Sequence, residues 1–106
     1  MTKKVLVPVA QGTEEMEAVT IVDVLRRAGA EVIVASVDDI LIHASKGMRF
    51  TADCLIRDCM DRSFDLIALP GGIPGAQNLR DSEDLEILLK KPAEQKKYYA
   101  AICASP

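Results

Sequence analysis

Cys103 closes an apolar run, Tyr98 to Ile102, and has small residues, Ala101 and Ser105, two positions to either side. A nucleophile elbow needs that arrangement, because its sharp strand-to-helix turn crowds the flanking side chains. A cysteine so placed sits at the N-terminus of the next helix, where the dipole and free N–H groups favour thiolate. The N–H of Ala104 would then point toward an oxyanion. A buried core cysteine at a strand end has the same neighbours, and spacing alone does not choose between the two.

Glu17 is the second candidate. On a 3.6-residue period it lines up with Ile21, Val24 and Ala28, near an apolar stripe. A carboxylate facing a core is expensive when ionised, so it is expected to be protonated or specifically paired. It also falls in the first helical turn after a strand, at the sheet edge where open α/β folds bind ligands. The plainer alternative is a partly exposed glutamate like its neighbours Glu14 and Glu15. The third candidate is Leu69-Pro70-Gly71-Gly72-Ile73-Pro74-Gly75, whose glycines let backbone approach a ligand and turn N–H groups toward an anion. It is neither a P-loop nor a dinucleotide fingerprint, and an ordinary tight loop is the commoner meaning of such a run.

Other reactive residue types carry less. His43, the single histidine, has no metal-ligand partner at usable spacing and reads as a surface or loop residue. Cys54 and Cys59 lack the two further ligands of a zinc site and read as structural thiols, of which an exposed one could oxidise.

These residues must be positioned by elements. Lys4 to Ala10 is a short apolar run suited to a strand buried on both faces, with Pro8 near its end. Gly12 makes a turn, Thr13 is the expected N-cap, and Glu14 and Glu15 follow in the first turn of a helix. Ala18, Ile21, Val22, Leu25 and Ala28 carry the helical period until Gly29. Glu31 to Ser36 is a second strand, completing a right-handed βαβ unit. Ile40 to Ala44 and Met48 to Thr51 suggest two short strands around Ser45-Lys46-Gly47, and Cys54 to Met60 a short helix or an extended segment. Phe64 to Leu69 is a third buried strand, Ser82 to Lys91 a helix, and Tyr98 to Ile102 a fourth strand. The last strand of a parallel sheet normally feeds another covering helix, so the expectation is part of a larger domain that should not fold well alone.

Composition narrows the class. The 106 residues are 49% hydrophobic and 27% charged, as in a globular protein rather than a disordered chain. A formal net charge of −3 and only 4% aromatic residues argue against nucleic-acid or anionic-membrane surfaces. No long apolar segment spans a bilayer, and Met1-Thr2-Lys3-Lys4 leads straight into strand-like sequence rather than a signal peptide. Thiols in a reducing cytoplasm are expected, or in an organelle if a transit peptide has been removed.

Taken in order, GTEEMEAV, VDVLRRAGAEV, DLIALPGG, GAQNL and AAICASP resemble the DJ-1/PfpI (ThiJ) family, and its DJ-1-like branch most. The resemblance covers essentially the whole chain. It implies a flavodoxin-like α/β sandwich, with a mostly parallel sheet between helices and residues 1–106 as the N-terminal part of one domain. It implies that Cys103 is the oxidation-prone nucleophile and Glu17 the acid that hydrogen-bonds its sulfur. Gly72 and Ala104 would be the oxyanion donors, with Gly71 beside them in the substrate-binding turn. Ser105 stands where Gly or Ala is usual, and the family's histidine, downstream of the cysteine, has no counterpart in this chain.

The function so implied is a cofactor-independent glyoxalase III or protein deglycase acting on methylglyoxal and related 2-oxoaldehydes, within a homodimer and with a role in oxidative stress. Two alternatives keep the same cysteine: a redox-sensing chaperone oxidised to sulfinate, and a PfpI-type cysteine peptidase. The second needs the absent histidine, as would an amidotransferase-type triad.

Overall fold

The apolar run near the N-terminus becomes the middle of a sheet. In the computed structural model, which describes residues 2–90 and the backbone of 96–101, Lys4–Val9 forms β1. Side chains alternate across a strand, so Val5, Val7 and Val9 face one way and Leu6 and Ala10 the other, all buried. Full burial of one such aliphatic side chain is worth roughly 1.5–3 kcal/mol over leaving it exposed. A strand with two such faces must lie between covering layers.

Those layers come from the elements that follow. Helix α1 (Glu15–Arg27) returns the chain to β2 (Glu31–Ser36), parallel to β1 with Lys4 opposite Glu31. A hairpin of β3 (Leu41–His43) and β4 (Arg49–Thr51) forms a separate two-stranded sheet. Cys54–Leu55, β5, pairs with the end of β2, and Ile56–Cys59 winds into a 3-10 turn. The chain then crosses to the far side of β1 as β6 (Phe64–Leu69), followed by α2 (Ile73–Arg80), α3 (Glu83–Leu89) and β7 (Lys96–Ala101). The strand order is β5-β2-β1-β6-β7, with every described pairing parallel. One apolar cluster joins Val5, Val7 and Val9 to Ala18, Ile21 and Ile42. The other joins Leu6 and Ile67 to Leu79, Leu85, Leu88 and Cys59.

This is the α/β sandwich expected, with four corrections. Thr13 does not cap α1; Glu14 does, its carboxylate accepting from Met16 N–H at 2.6 Å. Thr13 is instead fully buried, and its hydroxyl accepts from Ala10 N–H at 2.9 Å, closing the turn one residue earlier. Val24 and Ala28 lie outside the buried stripe of α1, because the sheet meets the helix along Ala18, Ile21, Val22 and Leu25. The glycine-rich run is a loop only as far as Gly72, and Pro74 lies in the first turn of a helix not anticipated there. Cys54 to Met60 is neither one helix nor one strand, since the two-residue β5 gives way at once to the 3-10 turn. Pro8 sits near the end of the central strand, as expected. The β1–β2 ladder runs on to Val9, while that to β6 ends at Leu6, short of the residue with no N–H to donate.

Among the described residues no helix is long and apolar enough to cross a membrane.

The β3–β4 hairpin is tied down by a buried acid. Glu15 is 6% exposed, and its carboxylate accepts from Lys46 N–H at 3.0 Å, Met48 N–H at 3.2 Å and Ser45 hydroxyl at 3.2 Å. Burial pushes its pKa up, but the backbone N–H groups of Glu15, Met48 and Lys46, with the Ser45 hydroxyl, together bring it below the ordinary 4.5. A folded-state value below the unfolded one stabilises the fold above the unfolded value, and that stability is lost as pH falls through the depressed one. In the complete protein, Glu15→Gln should therefore be less stable than the parent near neutrality. The gap should close as pH falls below 4.5. A gap in denaturation midpoint that stays constant down to about pH 3 would contradict this assignment.

Candidate active site

The order β5-β2-β1-β6-β7 reverses direction between β1 and β6. Successive connections leave β1 toward β2 and leave β6 toward β7, so the loops at their carboxyl ends part and open a crevice. Two of the three sequence candidates come from those loops. Glu17 lies in the first turn of α1, after β1, and Gly71 and Gly72 follow β6.

The two loops are joined by backbone. Glu14 N–H donates to Gly71 O at 3.0 Å, and Gly71 N–H donates to Glu17 Oε1 at 2.8 Å. Residues 54 positions apart are thus locked within one hydrogen bond of each other. The carboxylate near the apolar stripe is half-buried and specifically paired. Among the described residues, Glu17 Oε2 and Gly72 N–H have no hydrogen-bond partner. Gly71 N–H, expected beside the oxyanion donors, is already spent on Glu17.

Close approach explains the glycines. Gly72 has φ 101° and ψ 126°, a region side-chain-bearing residues rarely enter. A Cβ there would stand 2.8 Å from both Glu14 N and Gly12 O. One on Gly75 would stand 2.6 Å from the Thr13 backbone. The start of α2 therefore rests directly on the Gly12–Glu14 backbone, with its positive end toward the crevice.

Sequence reasoning passed over the residues that brace this contact. Asn78 Nδ2 donates to Gln11 O at 2.7 Å, binding α2 to the β1 loop. Gln11 in turn donates through Nε2 to Leu41 O and accepts from His43 N–H through Oε1, at 2.9 and 2.8 Å. Neither carries a distinctive motif; only the small Gly75-Ala76 pair ahead of Asn78 hinted that α2 must pack closely. His43 is a surface residue, as expected, exposed at the end of β3. Among the described residues no group of three or more His, Cys, Asp and Glu side chains could hold a metal ion.

Cys103, Ala104 and Ser105 lie outside the described residues. The backbone leading to them is β7, parallel to β6 with Ala101 opposite Leu69.

Gly72→Ala should therefore destabilise the complete protein and open the loop contact, by about 1–3 kcal/mol for the backbone strain alone. Chemical denaturation measures the loss, and an unchanged midpoint would show that the loop accommodates a side chain.

Comparisons with known proteins meet this geometry. The DJ-1/PfpI family model matches residues 3–106. Protein DJ-1 homolog B of Arabidopsis thaliana is 50% identical over 99% of this chain, which spans 24% of that protein. The glutathione-independent glyoxalase DJR-1.2 of Caenorhabditis elegans is 33% identical over 91% of the chain, which spans 51% of it. The solved structure of oxidized Toxoplasma gondii DJ-1 superposes with a TM-score of 0.94 at 54% identity, over 99% of this chain and 58% of its own. The chain thus spans between a quarter and somewhat over half of these relatives, and over that span it belongs to the DJ-1/PfpI family.

Proposed function

We propose that the complete protein is a cysteine-dependent glyoxalase or deglycase, acting on 2-oxoaldehydes such as methylglyoxal or on their protein adducts. The observation that carries this reading is the hydrogen bond from Gly71 to Glu17, which holds a carboxyl at the crevice with one oxygen uncommitted among the described residues. A relative that matches nearly the whole chain bears the name of a glyoxalase.

In this reading Cys103 Sγ adds to the aldehyde carbon, and the carbonyl oxygen takes up the charge. N–H groups of Gly72 and Ala104 receive it, aided by the positive end of α2. Protonation gives a hemithioacetal. A proton then leaves the former aldehyde carbon and another joins the neighbouring carbon, turning the adduct into the thioester of a 2-hydroxy acid. Water cleaves the thioester, releasing the acid (lactate from methylglyoxal) and restoring the thiol. Glu17 Oε2 is the proton carrier in these steps, while Oε1 stays on Gly71. Gly71 is a positioning residue rather than an oxyanion donor. No metal or organic cofactor enters the scheme. The elbow helix and the family's histidine would come from the remainder of the domain.

Two substitutions test it. Glu17→Gln keeps an oxygen to accept from Gly71 but cannot relay a proton, so methylglyoxal consumption should fall about 10²–10⁴-fold with the fold intact. Cys103→Ser should abolish it. Turnover at the parental rate in Cys103→Ser would sink the proposal. The second reading, a redox sensor or redox-regulated chaperone, is favoured by the oxidized state named for the Toxoplasma relative. It would be supported by selective sulfinate formation at Cys103 without aldehyde turnover.

A homodimer is part of the proposal. A groove of about 310 Å³ between α1 and β4 is lined by Ala18, Val19, Val22, Val34 and Phe50. Val19 is 59% exposed, and Met16 on α1 and Met48 beside the hairpin are also exposed. A second copy would cover this apolar face. The complete protein should show twice its chain mass by native mass spectrometry, and Val19→Asp should shift it toward monomer. A monomeric parent would exclude this interface.

A further inference from the structure

Two cysteines outside the crevice stand close enough to react with each other. Cys54 lies in β5, opposite Ala35 on the outer side of β2, and is half-buried. Cys59 ends the 3-10 turn and is fully buried in the cluster that includes Leu6, Leu85 and Leu88. The reversal between β5 and the turn brings their sulfurs to 3.2 Å. A disulfide needs about 2.05 Å, so a shift of roughly one ångström separates contact from bond. The Cys59 thiol also donates toward Leu55 O at 3.6 Å, which fixes its side chain on this side of the turn.

We propose that Cys54 and Cys59 form a reversible intrachain disulfide, a second redox site independent of Cys103. The oxidant is a hydroperoxide. The sulfur of Cys54, the more accessible of the two, attacks the peroxide oxygen; the O–O bond breaks and Cys54 becomes a sulfenic acid as the first water departs. Cys59 sulfur then attacks Cys54 sulfur, the S–O bond breaks, and the hydroxyl leaves with the Cys59 proton as a second water. Two thiols have lost two electrons and two protons, and one hydrogen peroxide has become two waters.

The order of attack follows from the surroundings. Burial, then the hydrogen bond and negative charge of Cys54, push the Cys59 thiol up to about 12, so it does not ionise first. Once Cys54 is a sulfenic acid, the nearby thiol traps it before a second oxidant molecule can carry it to sulfinate. The bond would staple the short edge strand β5 to a turn already anchored in the core. That edge strand is short, its two residues paired only with Ala35 and Ser36 of β2.

Trypsin supplies a direct readout. It cuts after Arg49, Arg57 and Arg62, placing Cys54 in the peptide 50–57 and Cys59 in 58–62. The complete protein, on a Cys103→Ser background so that the proposed catalysis plays no part, is treated with hydrogen peroxide, alkylated and digested without reductant. The two peptides should appear joined, lighter by two hydrogens than their sum, and separate with dithiothreitol. The joined species should be absent from Cys54→Ser and Cys59→Ala. Joining should be at least about tenfold faster in the native protein than in urea, because the fold holds the sulfurs in reach. Sulfinate at Cys54 with Cys59 still alkylated, or equal rates native and unfolded, would overturn the proposal.

Discussion

Two loops touch backbone to backbone where the sheet changes direction, and the rest of the crevice depends on that contact. The turn after β6 and the start of α2 lie on residues 12–14 with no room for a Cβ at Gly72 or Gly75. Glu14 N–H and Gly71 O close the contact, and Gly71 N–H carries it one step further to the Glu17 carboxyl. Backbone is the stiffest material a protein has, so a carboxyl fixed to a backbone N–H at 2.8 Å keeps its orientation without a packed shell of its own. In the proposed reaction that stiffness would suit a carboxyl that has to meet the Cys103 sulfur at hydrogen-bond distance.

A second layer of polar ties surrounds the first. Gln11 and Gly12 bind the β3–β4 hairpin through Leu41 and His43, Thr13 O accepts from Ser45 N–H, and Glu15 gathers the Ser45–Met48 turn. Five consecutive residues, Gln11 to Glu15, thus serve the hairpin, the α2 contact and the cap of α1 together. Glu14, Glu15 and Glu17, three acids in one short stretch, have three different tasks: capping a helix, anchoring a hairpin and holding the crevice carboxyl. Only the direction each side chain takes from the helix start separates them.

The two proposed thiol sites lie apart on the sheet. The crevice lies at the carboxyl ends of β1 and β6, whereas Cys54 and Cys59 lie past β2, at the opposite edge from β7. Their environments differ too. An elbow cysteine would be activated by helix dipole and hydrogen bonds, whereas Cys59 is suppressed by burial and would react only through the partner sulfur in contact with it.

Strands β1, β2 and β6 and helix α1 were legible from the sequence, because a β-branched run and a helical period each leave a local mark that burial enforces. The glycine turn and Glu17 were legible as candidates for the same reason: a carboxylate close to an apolar stripe and paired glycines after a strand are local anomalies. The assignments of capping to Thr13 and of a loop to residues 73–75 failed, since a hydroxyl can close the preceding turn as readily as it caps a helix, and Pro74 fits a first helical turn as well as a loop. What no spacing could reveal was the pairing of partners far apart in sequence. Glu17 with Gly71, Gln11 with Asn78 and Gly72 with Gly12 meet only because β6 crosses back to lie beside β1. The 3.2 Å contact of Cys54 with Cys59 likewise needed the 3-10 reversal, which a run of six residues does not announce. Sequence determined which residues could do chemistry and which strands would be buried, because those are properties of each side chain and its near neighbours. Tertiary structure alone decided which of them act together, because strand order is settled by how the whole chain packs.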